Sequence, residues 1–170
     1  PNIPAIRDDV AAWLHKQVPV PEVGSIGGEW LVIGLARSGV EMGDACFAGY
    51  YDNLCQYLRN CGGVLHQRKY TEYSRVVLAL TAIGRSPADV AGYDLLTPLA
   101  DYESVVWQGL AGPVWALIAL DSGNYAMPKA PGSKLQASRE MYIPATAHPP
   151  SASCALRIYW IYISLLAWSL

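Results

Sequence analysis

Apolar positions along this chain recur with the period of an α-helix, and three of the runs are apolar almost all the way round. Residues 30–39 read Trp-Leu-Val-Ile-Gly-Leu-Ala-Arg-Ser-Gly, and residues 75–84 read Arg-Val-Val-Leu-Ala-Leu-Thr-Ala-Ile-Gly. Residues 105–123 form the third, with Val114, Trp115, Leu117, Ile118, Ala119 and Leu120. A helix without a polar stripe has to be covered on most sides, so each run predicts a buried helix. Gly39, Gly84 and Gly123 close the runs and predict left-handed helix exits. Gly112-Pro113 predicts a helix entry, because the fixed φ of proline suits a first helical turn. The closing glycines lie 45 and 39 residues apart, a spacing that belongs to arrays of helical hairpins.

Between these runs lie helices with a polar face. Residues 5–17 predict the first, with Ile6, Val10, Trp13 and Leu14 at helical spacing, Asp8 and Asp9 near the amino end, and Pro19 and Pro21 as its stop. Residues 20–28 read as a connector, and Gly27-Gly28-Glu29-Trp30 opens the first apolar helix. Residues 43–61 predict a helix with a broad aromatic face and a Gly62-Gly63 stop. Thr71 and Glu72 start the second apolar helix, and residues 89–102 predict a shorter helical piece carrying Tyr93, Leu95, Leu96 and Leu99.

The order is a more exposed helix, a link and a buried helix, three times over: 5–17 with 28–39, 43–61 with 71–84, and 89–102 with 108–123. Residues 133–143 predict the outer helix of a fourth unit. The expected fold is all-α, with hairpins stacked in two concentric layers, because a hairpin cannot bury its apolar face alone. Residues 1–143 form this domain. Residues 144–154 have the composition of a loop, and residues 155–170 are apolar and aromatic with one interior charge, Arg157. Sixteen residues fall short of the roughly 20 that cross a bilayer, so no clear transmembrane span is expected. A buried helix or strand, a truncated anchor and a segment foreign to the rest of the chain are the readings that stay open.

Composition narrows the function classes. At 170 residues and 52% hydrophobic, the chain can bury one core of ordinary size. Six tryptophans and eleven tyrosines against a single phenylalanine suit wide helix packing, or a pocket lined by rings with polar tips. A net charge of −2 and the lack of a basic stripe argue against nucleic acid. The chain opens Pro-Asn-Ile-Pro without a signal segment, so any targeting sequence is expected upstream or already removed. Cys46, Cys55, Cys61 and Cys154 match neither zinc spacing nor a disulfide framework and read as free, buried thiols.

Residues 70–84, Gly92-Tyr-Asp-Leu-Leu96 and Trp107 to Tyr125 resemble bacterial proteins with prenyltransferase and squalene-oxidase type repeats. These belong to the α/α toroid superfamily of terpenoid cyclases, protein prenyltransferase β subunits, complement thioester domains and cobalamin carriers. The resemblance covers residues 5–143 and is most specific over 70–125. It implies a ring of about six hairpins, of which this chain supplies about three and a half. An incomplete α/α toroid leaves inner helices exposed and is expected to self-associate. The resemblance also implies a secreted or cell-surface bacterial protein.

The chemistry of that superfamily is absent from these residues. Cyclases protonate an alkene with an Asp-x-Asp-Asp acid, and no such string occurs. Gln108-Gly109-Leu110-Ala111-Gly112-Pro113-Val114-Trp115 is one residue longer than the cyclase Gln…Gly-x-Trp repeat, whose glutamine ties neighbouring helices, and it reads as structural. His15, His66 and His148 are scattered away from cysteine, so neither a metal nor a cofactor is expected. No catalytic residue is assigned. What remains is a binding or scaffold module that encloses a small hydrophobic or corrinoid ligand, alone or with a second domain of the same protein. The alternative is a fragment of a cyclase or prenyltransferase whose catalytic residues lie outside the chain. The inner-helix starts place Trp30, Thr71, Glu72, Tyr73, Arg75, Trp107, Gln108 and Trp115 at one mouth of such a ring. The candidate ligand-binding residues are Tyr70, Tyr73, Arg75, Trp107, Trp115 and Asp121.

Overall fold

The computed structural model describes residues 2–25 and 27–126, and the expected helix at 133–143 and the tail at 155–170 lie outside them. Among the described residues the chain is all-helical. The helices are α1 (Ile3–Gln17), α2 (Glu29–Arg37), α3 (Asp44–Cys61), α4 (Thr71–Ala82), the single turn α5 (Tyr102–Val105) and α6 (Ala111–Ser122). Short 3-10 turns at Thr97–Ala100 and Val106–Gln108 flank α5.

Local chemistry sets the ends. The Asn2 side chain caps α1 by accepting from the Ala5 amide at 3.4 Å. That start at Ile3 puts Asp8 and Asp9 beyond the first turn, so Asp8 pairs with its neighbour Arg7 at 2.6 Å rather than with the helix dipole as expected. Gly39 and Gly84 adopt the predicted positive φ, 73° and 71°. Gly123 does not: its φ is −119°, and the left-handed residue after α6 is Asn124, at 52°. Asparagine tolerates that region well enough to take over the role.

The helix expected at 89–102 is also corrected. The Gly92 amide donates to Asp89 Oδ1 at 2.9 Å, Ala91 and Gly92 both have positive φ, and Val90 and Tyr93 exchange backbone hydrogen bonds of 2.9 and 3.1 Å. An aspartate side chain that bonds its own backbone competes with helix propagation. Val90, Leu95, Leu96 and Leu99 are nevertheless buried. The apolar pattern marked what is inside, while the turn chemistry decided the shape.

The described residues divide into two compact units, those up to Leu65 with Arg75–Leu95, and His66–Ser74 with those from Leu96 onward. In the first, Ala11 of α1, Leu35 of α2 and Cys46 of α3 form a cluster, with Leu14, Leu31, Val40, Met42 and Phe47 packed against it. Leu54 and Leu58 of α3 and Val76, Val77, Ala79 and Leu80 of α4 are buried as well. Of the three apolar runs, α4 is the one covered on nearly every side. Trp30 leaves 49% of its surface exposed on α2, which buries one face, Glu29, Val32 and Leu35. In the second unit, α6 buries Gly112, Pro113, Ala116, Ala119 and Leu120 and leaves Val114, Trp115, Leu117 and Ile118 half-covered.

The second unit turns a sharp corner. The segment Tyr102–Gln108 meets α6 at 119°. Gly109 makes the turn with φ 67° and ψ −152°, a conformation in which a Cβ would be strained. At Gly112 the constraint is space, since a Cβ there would run into the Val105 carbonyl oxygen. No single helix among the described residues is long and apolar enough to cross a membrane.

Candidate functional site

The Gly109 corner presents two consecutive side chains in different ways. Trp107 stands in solvent with 58% of its surface exposed. Gln108 turns inward, and its Oε1 accepts from the Thr71 amide at 3.1 Å and from the Thr71 hydroxyl at 3.0 Å. The Thr71 amide belongs to the first turn of α4, where backbone donors lack helical partners, so Gln108 both caps that turn and anchors the corner. This is the helix-tying role expected of the glutamine.

The segment leading into α4 brings a cation to the indole. His66 Nδ1 accepts from the Arg68 and Lys69 amides, each at 3.0 Å, which folds residues 66–69 into a tight turn. That turn sets the Arg68 guanidinium 5.6 Å from the Trp107 ring centroid, within cation–π range. Tyr70 and Tyr73 follow, with ring centroids 5.3 Å apart and planes tilted by 40°. Tyr70 is half-buried, whereas Tyr73, 3% exposed, supports its neighbour from within. The result is an exposed indole with a cation over its ring and, two residues after that cation, a tyrosine pair, on segments that His66 and Gln108 hold by side-chain to backbone bonds. Such a surface suits a flat apolar group that carries acceptor oxygens. Among the described residues no three His, Cys, Asp or Glu side chains converge to hold a metal ion.

Arg75 belongs to a different constellation, in the first unit. Its Nε donates to Glu29 Oε2 at 3.0 Å. The other carboxylate oxygen accepts from the Gly24 amide at 2.9 Å and from the Tyr50 hydroxyl at 3.4 Å. Glu29 is 1% exposed, so a charge from α4 and a hydroxyl from α3 meet a carboxylate at the start of α2 inside the protein. Burial, and next the Glu29 carboxylate, push the Tyr50 phenol well above its ordinary range, against the pull of Arg75. This knot holds three helices and the connector together, and Glu29 takes up the Arg75 Nε that the sequence assigned to a ligand.

Glu29 and Tyr50 were not singled out from the sequence, although a signal was present. Glu29 stands ten residues before Gly39, and Arg75 stands nine before Gly84. Superposing the two apolar runs by their closing glycines puts opposite charges at nearly the same place on helices expected to be neighbours.

The remaining candidates separate. Trp115 is half-buried one turn into α6. Asp121 sits at the far end of that helix, where its carbonyl accepts from the Asn124 amide at 3.2 Å. At 1.5 Å of rise per residue it lies about 15 Å along the axis from the corner. Cys46 and Cys55 are buried and Cys61 half-buried, all three free. No protein-family model, curated protein or solved structure matches the chain.

Proposed function

We propose that this protein is a non-catalytic helical binding module that takes a small ligand against the exposed Trp107 indole. The ligand lays a flat apolar face on the ring and turns its acceptor oxygens toward Arg68. The observation that carries this reading is the pairing of an exposed tryptophan with a neighbouring Gln108 whose Oε1 holds the corner to Thr71. An exposed aromatic ring on a fixed support is pre-organised to take a flat ligand. Of the sequence candidates, Trp107 carries this surface, and Tyr70, packed on Tyr73, precedes the Thr71 that Gln108 holds.

The wider proposal is a partial α/α toroid of the repeat family described above, from a secreted or cell-surface bacterial protein. Two features support it: a well-covered α4 that follows the more exposed α3 along the chain, and the Gln108 tie between a corner and the start of another helix.

Isothermal titration with a corrinoid, an isoprenoid alcohol and a neutral oligosaccharide tests the site. At least one is expected to bind, and Trp107→Ala is expected to weaken it by about 30-fold or more, the loss of a hot-spot anchor of about 2 kcal/mol. Stability should stay within about 0.5 kcal/mol, as for an exposed position. Failure of all three to bind, or undiminished binding by the variant, removes the site.

A further inference from the structure

The first helix carries a second unexplained surface. Ile3, Ile6, Val10 and Trp13 are 71%, 53%, 51% and 60% exposed. At 100° per residue the four lie within an arc of about 80°. On an adjoining side α1 is anchored, with Ala11 in the cluster with Leu35 and Cys46 and with Leu14, which borders the stripe next to Ile3, packed against that cluster. The stripe therefore belongs to a helix held in place, not to a fraying end.

The spacing of the stripe is three, four, three. That is the a/d pattern of a coiled-coil seam, narrower than the broad apolar face of a helix lying on a core. In heptad terms Ile3 and Val10 take a, Ile6 and Trp13 take d, Arg7 and Leu14 take e, and Asp9 and Lys16 take g. The a positions carry the β-branched residues of a two-stranded parallel pair, while Ile6 and Trp13 stand at d in place of the leucine usual there.

We propose that a second copy of the chain docks here, seam against seam, with the two α1 helices parallel. The flanking charges choose the orientation. In a parallel pair g faces e of the next heptad on the partner, so Asp9 lies beside Leu14 and no like charges meet. In an antiparallel pair that stacks Ile3 on Trp13 and Ile6 on Val10, Asp9 approaches its own copy, and so does Arg7. A bilayer suits the seam less well, because α1 balances Arg7 and Lys16 with Asp8 and Asp9 and offers no cationic face to lipid headgroups. The four side chains expose on the order of 450 Å² per copy, about half of a standard partner's share, which sets a weak and concentration-dependent dimer. The self-association expected of exposed inner helices is thus assigned to the first, outer helix.

The test is sedimentation equilibrium of the full chain across the micromolar range, with Val10→Lys and Trp13→Ser as variants and circular dichroism as a check on folding. The wild type is expected to dimerise, and both variants to weaken the dimer by more than tenfold while staying helical. Under mild oxidation Val10→Cys is expected to form a disulfide-linked dimer beyond the wild-type level, because Val10 faces its own copy in the parallel pair. A monomeric wild type overturns the proposal, as does a dimer that neither variant weakens. Absence of the added cross-link overturns the parallel orientation. Binding of the wild type, but not of Val10→Lys, to phosphatidylcholine vesicles hands the seam to a membrane instead.

Discussion

Glu29 accepts from Arg75, Tyr50 and Gly24 with less than one fiftieth of its surface exposed. Removing one partner of such a pair costs more than the pair contributes, since a charge is left buried and uncompensated. Arg75→Ala is expected to lower stability by about 3–5 kcal/mol in urea denaturation, a loss large enough to unfold much of a marginal domain. Tyr50 adds a pH dependence. Its phenol is pushed above 10.0, the ordinary value it has in the unfolded chain. Below pH 10 both states hold the proton and the hydrogen bond contributes fully; above it the unfolded phenol ionises while the folded one stays neutral, so stability falls as pH rises. The urea midpoint should drop between about pH 9 and about pH 11, and Tyr50→Phe should make that drop smaller. The sequence placed Arg75 near a helix start but assigned it to a ligand, because a lone glutamate in an apolar run carries no sign of the hydroxyl and amide that will meet it. Tyr50 looked like one ring among several on α3. Trp107 and Gln108 were singled out because Gly109 and Gly112-Pro113 just after them mark a helix entry in the sequence itself, although the corner at Gly109 was not expected.

At the scale of elements, periodicity located α1, α3 and α4 closely, and turn chemistry decided what happened elsewhere. Residues 89–102 show both effects, with Val90 and Leu99 buried as an apolar run demands and the backbone diverted by Asp89 and Gly92. All-round apolarity was a weaker guide to burial than it looked. It held for α4, whereas α2 exposes Trp30, and α1 exposes the residues that seemed to mark its buried face. Periodicity reports that a helix has an apolar side; which neighbour covers it depends on contacts distant in sequence. The corner between α5 and α6 gives the sharpest test of an element contact. Gly112→Ala places a methyl against the Val105 carbonyl oxygen, a backbone atom that cannot swing aside. The variant is expected to lose about 1–3 kcal/mol, as overpacking does, although alanine is the better helix former. A thermal melt shifted down by several degrees supports the contact, and an unchanged or raised midpoint excludes it.

For the whole molecule, the account rests on a division of labour between the two units. The first is held by a buried ion pair and a helical core; the second carries an aromatic corner that faces solvent and is tied down by Gln108. Helical class follows from local pattern and was legible from the sequence, whereas the hairpin expected of residues 89–102 was not kept. The Arg68 contact was not legible, because it depends on His66 folding the 66–69 turn through its ring nitrogen. The most direct measurement is a nitrogen-15 spectrum of the six tryptophan indoles, with the Trp107 signal identified by Trp107→Phe, during titration with cobalamin, geranylgeraniol and a neutral oligosaccharide. The account predicts that a ligand which binds saturably moves the Trp107 signal most. Saturable binding that leaves Trp107 in place and moves Trp30 or Trp115 instead would contradict it.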